Sequence, residues 1–588
     1  MTNASDSRRR TPVDGPLSGC EGGESKVDDA VVAQEVLTVR RDVWGSSEIP
    51  DDLLAAFWCY EQAILDDDLD VLDDFFADAP TTMRGDAAGL LVGHEAISAF
   101  RSVRGGVPSR RIERIEYRPL SEDAALLVSI SRYTSGGTGL QTQLWQKTDG
   151  RWLVTVAHVT PRAQPLDRSV WRNVGDPFWH PQADGPLSGF TVAVKDLFAI
   201  QGRRIGAGNP TYLSEAKPEA TTAPAVADLL NGGASLRGIA RTDEFAYSIA
   251  GDNPHYGTPP NGAVPGALPG GSSNGPASAV ATGQAEIGLA TDTAGSIRVP
   301  ASYQGLWGLR TTHGLVPRQG LLPLSQSFDT IGWLTRDSAT LQRVADWCLG
   351  YEGSESTESV YGQSNDDLPW RFLVVAEALD VVEPDTRVAF GDLLVRLANS
   401  PNAPQIDTVS IGALEDYYET FRVVQGVEAW RNNGEWLREH PGATGPAVAE
   451  RFLAAAAITA DEETAARATL AKLRERLRER SRDAILLMPT APGPAPMRTR
   501  SGEHVSAVRA ATLRMTTPAA IGGLPSLSAP LLTVNSLLGP APVGICLISG
   551  EGTDIALVRA ARRLEQALTS GAEPPHQKGT GHDTSRTH

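Results

Sequence analysis

Apolar residues recur every three or four positions in PDDLLAAFWCYEQAILDDDLDVLDDFFADAP, where Leu54, Phe57, Tyr60 and Ile64 share one stripe. That period predicts an amphipathic helix, and GHEAISAFR predicts a second, shorter one. The period then drops to two. RRIERIEYR, AALLVSISRY, LQTQLWQKT and RWLVTVAHVT read as strands, the last two joined at Asp149-Gly150, a strong hairpin signal. Helices followed by a strand meander predict a compact α+β domain over residues 45–163. Trp145 and His158 read as packing residues of that domain, the alternative being a pocket lining.

From residue 185 the pattern changes again. FTVAVKDLF, ASLRGIA, AEIGLAT, RFLVVAE and DAILLMPT are apolar runs of strand length. Between them lie helical stretches such as APAVADLLNGG, closed by glycine, and ATLAKLRERLRER, with Leu470, Leu473 and Leu477 on its inner stripe. This alternation predicts an α/β fold over residues 185–569, a mixed, mostly parallel sheet covered by helices. Residues 164–184 read as a linker. Residues 1–44 and 570–588 are polar and aperiodic and read as disordered tails.

Composition narrows the function classes. A net charge of −18 over 588 residues argues against nucleic acid or an anionic membrane as partner. No run approaches the roughly 18 apolar residues of a membrane span. SRRR at 7–10 and LSGC at 17–20 imitate export signals, but the TPVDGPL between them lacks the apolar segment such signals need, so a cytoplasmic location is expected. Cys20, Cys59, Cys348 and Cys546 are too widely spaced for a zinc site or a dense disulfide network. His576, His582 and His588 fall in the C-terminal tail, so no metal site is expected.

Six lysines stand against 47 arginines, and no lysine lies between Lys217 and Lys472. Arginine thus serves wherever a plain positive charge will do, yet Lys195 sits inside the apolar strand TVAVK. Burial can lower a lysine's pKa until it is a neutral base, whereas arginine stays protonated. The competing reading is a lysine snorkelling at a strand end or paired with Asp196. GGSSNG at 270–275 lacks the Gly-Lys-Ser/Thr ending of a phosphate loop and the GxGxxG pattern. After it, AEIGLA runs into TDTAGSIR, where Ala294 and Gly295 permit a sharp turn at Ser296. Such a turn can expose a serine hydroxyl and aim backbone N–H groups at one point. A Ser-His-Asp triad is hard to assemble, because His255 and His313 have no evident partner acid.

VAVKD, GGSSNGPASAVA, TDTAGSIRVPASYQGLWGLR and SFDTIGWLTRD, in that order, resemble the amidase signature family, as do LLMPTAP and IGGLPSLSAPL nearer the C-terminus. The step of 24 residues from Ser272 to Ser296 agrees with that family. The resemblance implies a Lys–Ser–Ser triad: Lys195 as base, Ser272 as bridge after a cis peptide bond from Gly271, and Ser296 as the nucleophile that forms an acyl-enzyme. It places the oxyanion at the backbone N–H groups of Thr293, Ala294, Gly295 and Ser296. Ser273 would be an auxiliary hydroxyl, with Asp292 and Arg298 a structural pair bracing the turn. Asn274 and Ala294 stand where the family usually has glycine. Upstream, FFADAPTTMRG, GHEAISAFR and GRWLVTVAHVT are similar to the AtzH-like domain, a SnoaL/NTF2-like cone that bacteria fuse to amidases.

The resemblance implies hydrolysis of a small carboxylic amide to carboxylate and ammonia, without metal or organic cofactor. TDEFAYSIAGDNPHYGTPPN and DLFAIQGRRIGAGNPTYL are similar to the indole-3-acetamide hydrolase branch and favour an aryl-acetamide. His255 and Tyr256 read as packed loop residues there, substrate contact being the alternative. The AtzH-like segment points instead to urea-derived substrates, and it allows a homodimer. A glutaminase subunit of an amidotransferase and a non-catalytic binding scaffold are the remaining alternatives.

Overall fold

The computed structural model describes residues 49–66, 68–86, 89–104, 110–133, 138–160, 167–350, 367–536 and 539–569. The two expected tails lie outside these residues. The chain divides into one compact unit up to Pro165 and another from Leu166.

In the first unit, helices α1 (Asp51–Asp66), α2 (Leu69–Asp74) and α3 (His94–Arg104) accompany a six-stranded sheet. Its strands are β1 (Met83–Asp86), β2 (Gly89–Val92), β3 (Arg110–Ser121), β4 (Ala124–Tyr133), β5 (Thr138–Thr148) and β6 (Arg151–Thr160), in the order β2-β1-β6-β5-β4-β3. Asp149 and Gly150 both take positive φ, 51° and 80°, which suits the tight β5–β6 hairpin. The inner stripe of α1 is Leu53, Phe57, Tyr60 and Ala63, with Leu54 and Ile64 only half-buried beside it. Adjacent leucines satisfy the same spacing, so periodicity selects the face only to within one residue. Trp145 is fully buried, with its ring edge-on to Tyr60 and Phe75. His158 is exposed. The register between β5 and β6 slips where Trp145 opposes Val154 and Leu144 opposes Val156. That bulge reverses the inside–outside alternation, so Ala157 turns inward and His158 outward.

The second unit holds an eleven-stranded sheet. Its strands are β7 (Trp171–Trp179), β8 (Thr191–Lys195), β9 (Ser235–Ala240), β10 (Ile287–Asp292), β11 (Trp307–Arg310), β12 (Thr330–Thr335), β13 (Arg371–Val375), β14 (Gln405–Val409), β15 (Ile485–Pro489), β16 (Ser526–Ser536) and β17 (Gly539–Ile548). They lie in the order β14-β13-β15-β17-β16-β11-β12-β10-β8-β9-β7. Both faces are covered. Along β15, Ile485 and Leu487 join one core while Leu486 and Met488 join the other. The second core includes Leu470, Leu473 and Leu477 of the helix Ala460–Arg480.

Two expectations change. The segment expected to be a linker contains β7, which pairs antiparallel with β9 as an edge of the sheet. The sheet is mixed but not mostly parallel. Parallel pairing joins β8 to β9 and β10, and β13 to β14 and β15, while six pairs are antiparallel. β16 and β17 follow each other too closely for a parallel crossover, and a strand's apolar run does not record its direction.

Cys348 and Cys546 are free and buried, and Cys59 is disulfide-bonded. Among the described residues no helix is long and apolar enough to cross a membrane, and no cluster of potential metal ligands occurs.

Trp145→Ala should destabilise the first unit by about 3–5 kcal/mol. Urea unfolding followed by circular dichroism would show a correspondingly earlier transition; a change below about 1 kcal/mol would mean that the ring is not part of a packed core.

Candidate active site

β8 lies between two parallel neighbours, and Lys195 is its last residue. The carboxyl end of parallel strands is where open α/β sheets place their sites. Lys195 is fully buried. Its Nζ donates to Ser272 Oγ at 2.9 Å, Ser273 Oγ at 2.9 Å and Thr291 Oγ1 at 2.8 Å. Burial lowers its pKa from 10.5 to about 7, against the opposing pull of Asp243, Asp292 and Asp329. The pairing with Asp196 does not form: Asp196 makes an ion pair with Arg172 at 3.0 Å and accepts a hydrogen bond from Gly206 N.

Gly270 to Asn274 are wholly buried, so the Gly/Ser run is no surface linker. The Gly271–Ser272 peptide is cis. Gly270 has φ of 74°, and a Cβ on Gly271 would strike the Asp243 carboxylate and Gly251 N. Both positions therefore require glycine. The Ser272 carbonyl accepts from Asp243 N at 3.1 Å and Thr242 Oγ1 at 2.9 Å, which fixes that residue's orientation. Ser273 occupies the N-cap of the helix Asn274–Ala281 without capping it. Its hydroxyl instead accepts from Lys195 and donates to Thr291 O at 3.2 Å. Asn274 Nδ2 donates to Asp243 Oδ1 at 2.9 Å and Gly251 O at 3.2 Å. The usual glycine there could make neither bond.

The turn after β10 is organised by Asp292. Its carboxylate accepts Gly295 N at 2.7 Å and Ile297 N at 3.2 Å. Arg298 forks onto it, Nε at 3.0 Å and Nη2 at 2.9 Å, and Arg310 adds a contact at 3.1 Å. Burial alone would push the Asp292 pKa up, but the two guanidinium groups outweigh it and hold it well below the usual carboxylate range. Arg298 also donates to Thr516 O at 3.0 Å, which ties the turn to the helix Gly502–Gly522. Gly295 needs to be glycine, with φ of 123° and Thr516 packed against it.

Ser296 N, Ala294 N and Thr293 N have no acceptor among the described residues. Gly295 does not join them, since its N–H is engaged by Asp292; this corrects the expected four-donor oxyanion site. Ser296 lines a cavity with Ala294, Tyr247, Ile249 and Leu513. Ser273 N donates to Ser296 O at 3.3 Å, so the two serine segments touch through the backbone. No hydrogen bond joins Ser272 Oγ to Ser296 Oγ in this structure. Such contacts tighten when substrate arrives.

His255 does have an acid, Glu244, at 2.7 Å. Glu244 is tied to Asn209 and Gly445, and neither His255 nor Glu244 lines the cavity. Tyr256 lies under the Arg241 guanidinium, and His313 Nε2 contacts Gln326 O. Thr291 and Asp243 escaped sequence reasoning. Thr291 was findable as a polar residue within the apolar strand of AEIGLATD. Asp243 carried no comparable mark, lying in a loop beside Glu244.

Replacing Asp292 with alanine would leave two buried guanidinium groups unpaired, and should cost about 3–5 kcal/mol of unfolding free energy. Calorimetric or urea unfolding measures it; a loss under about 1 kcal/mol would show that the carboxylate does not hold the turn.

Residues 179–558 match the Amidase family model, and residues 44–164 match the AtzH-like model. Amidase 1 of Oryza sativa subsp. japonica is 35% identical over 418 residues, 67% of this chain and 93% of that protein. This plant relative shows that the similarity is not confined to bacteria. A crystal structure of an amidase superposes with a TM-score of 0.57 at 32% identity, over 65% of this chain and 85% of the other. An inhibitor-bound structure described as a vestigial protein complex revealing the origins of an s-triazine catabolic enzyme gives 0.58 at 27% identity, over 66% and 85%.

Proposed function

We propose, for a chain that belongs to the Amidase family and is an amide-hydrolysing enzyme, that neutral Lys195 draws a proton through Ser272 from Ser296 while Ser296 Oγ attacks the amide carbonyl. The observation that carries this reading is the buried Lys195 Nζ, held by the hydroxyls of Ser272, Ser273 and Thr291 and, among the described residues, by no carboxylate. The carbonyl oxygen becomes the oxyanion and accepts from the N–H groups of Ser296, Ala294 and Thr293. Collapse breaks the C–N bond. The proton returns through Ser272 to the departing nitrogen, which leaves as ammonia. Water, deprotonated by the same relay, then attacks the acyl-Ser296 ester; the acyl–Oγ bond breaks, the relay returns the proton to Ser296 Oγ, and the acid leaves as carboxylate.

Asp292, Arg298 and Arg310 position this turn without touching substrate. Ser273 and Thr291 complete the shell of the lysine. Two acyl classes fit the reading. Tyr247, Ile249 and Leu513 offer an apolar wall to an aryl-acetamide, and the s-triazine neighbour favours a urea-derived amide. A cytoplasmic site of action belongs to the same reading. So does a homodimer formed through the AtzH-like unit, whose edge strand β2 exposes Leu90 and Val92.

Ammonia release from a panel of primary amides tests the activity. Ser296→Ala and Lys195→Met should each lower kcat/KM by about 10⁴-fold or more while circular dichroism stays unchanged. A fluorophosphonate should label Ser296 in the parent and not in Lys195→Met; labelling that survives would remove Lys195 from the relay.

The pH profile follows from the lowered lysine pKa. The base form exists above about 7, so kcat/KM should rise with pH through about 7 and then level. In the unfolded chain the same lysine keeps its proton to about 10.5. Between those values the unfolded state binds more protons, so this group makes stability rise with pH. A flat kcat/KM from pH 6 to 9 would contradict the assignment.

A further inference from the structure

Asn274 opens the helix Asn274–Ala281 directly after the two serines, and its side chain is fully buried. Three neighbours use its amide. Nδ2 donates to Asp243 Oδ1 at 2.9 Å and to Gly251 O at 3.2 Å, and Oδ1 accepts from Gly275 N at 2.8 Å. Asp243 is fully buried too, and its Oδ2 accepts from Gly251 N at 3.0 Å. The same loop reaches the serine run a second time. Asp243 N and Thr242 Oγ1 donate to Ser272 O, and Gly271 N donates to Ile249 O at 2.9 Å. Asn274 thus closes a ring of hydrogen bonds around Ser272, and the one charged member of that ring is Asp243.

A buried carboxylate is costly unless donors satisfy it. Burial raises the Asp243 pKa to about 7, against the opposing pull of Gly251 N, Lys195 and Ser248. Asp252 adds to the rise, and Arg451, on the helix Pro446–Ala456, acts on the same carboxylate as a cation. Lys195 in turn is acted on by Asp243, Asp292 and Asp329. Asp292 is committed to Arg298 and Arg310, and Asp329 accepts from Thr293 Oγ1 at 2.7 Å and from the N–H groups of Leu324 and Ser325. Of these three acids, Asp243 is the one tied by a side-chain amide to the serine run. Burial without an opposing anion carries a lysine pKa to about 5–6, and so weak a base accepts a serine proton poorly. An anion that counters this must itself stay ionised, and N–H donors to a carboxylate keep it so.

We propose that Asn274 is a positioning residue for the proton relay: by donating to Asp243 it keeps that carboxylate ionised, and so keeps Lys195 basic enough to take the proton of Ser296. This rests on the assignment of Lys195 as the base. The effect has a definite sign. Without the Asn274 donor, Asp243 holds a proton more readily. Lys195 then loses its opposing anion and gives up its own proton at lower pH. An asparagine that only braced the fold would change the rate without moving that pH.

The test titrates Lys195 in the full chain, by carbon-13 NMR of labelled lysine Cε, alongside the pH profile of kcat/KM. Asn274→Ala should lower the Lys195 midpoint by about 0.5–1 pH unit and move the rising limb of kcat/KM with it. The plateau should fall about 3- to 10-fold, because the base is weaker. Asp243→Asn, nearly the same in size, should lower the midpoint at least as far. Adding Asn274→Ala to Asp243→Asn should move it no further, since the carboxylate through which Asn274 acts is gone. A midpoint that stays or rises in either single variant, or falls again in the double variant, overturns the proposal. If the parent hydrolyses amides while the midpoint stays put in Asn274→Ala, the proposal falls and the hydrolytic reading stands. If the midpoint moves as stated and no amide is hydrolysed at any pH, the hydrolytic reading falls and the control of Lys195 by Asn274 stands.

Discussion

A buried lysine Nζ surrounded by hydroxyls, with no carboxylate in contact among the described residues, is the constraint around which the second unit is arranged. Desolvation disfavours its charged form, and a neutral amine can donate to two of the three neighbouring hydroxyls while its lone pair accepts from the third, Ser272 in the proposed relay. An arginine at the end of β8 would stay protonated and could not take a proton from serine. The choice of lysine in a chain that otherwise prefers arginine follows from that difference.

The surroundings keep the lysine in this state. Parallel neighbours on both sides bury β8 to its last residue. The Gly270–Gly271 run lets the backbone pass close to Asp243 and Gly251, so that Ser272 and Ser273 both reach Nζ. Asp292 does the complementary work one strand away. It engages two arginines and the backbone N–H groups of Gly295, Ile297 and Arg298, which fixes the turn at Ser296, and the N–H groups of Thr293, Ala294 and Ser296 have no acceptor among the described residues.

Much of this was legible in the chain. The period change near residue 110 marked the β3–β6 meander, and Asp149-Gly150 marked its hairpin. Lys195 stood out because a lysine in an apolar strand is chemically conspicuous. The cis peptide and the paired serines came from motif resemblance, not from periodicity. Other features were hidden for physical reasons. Strand direction leaves no trace in an apolar run, so the antiparallel majority of the large sheet was missed. β7 was mistaken for a linker because it is an edge strand rich in polar residues. The engagement of Gly295 N by Asp292 depends on side-chain geometry, and Arg509 comes to line the same cavity as Ser296 only through tertiary folding, more than two hundred positions along the chain.

With six lysines in the whole chain, the proton affinity of Lys195 can be read directly. Carbon-13 labelling of lysine Cε, with the Lys195 resonance assigned through Lys195→Arg, gives a titration curve for each amine. The account predicts one resonance with a midpoint near 7, absent from the variant. A Lys195 midpoint close to the ordinary value of about 10.4 would contradict it, because the buried amine would then be a cation at neutral pH and could not accept the proton of Ser296.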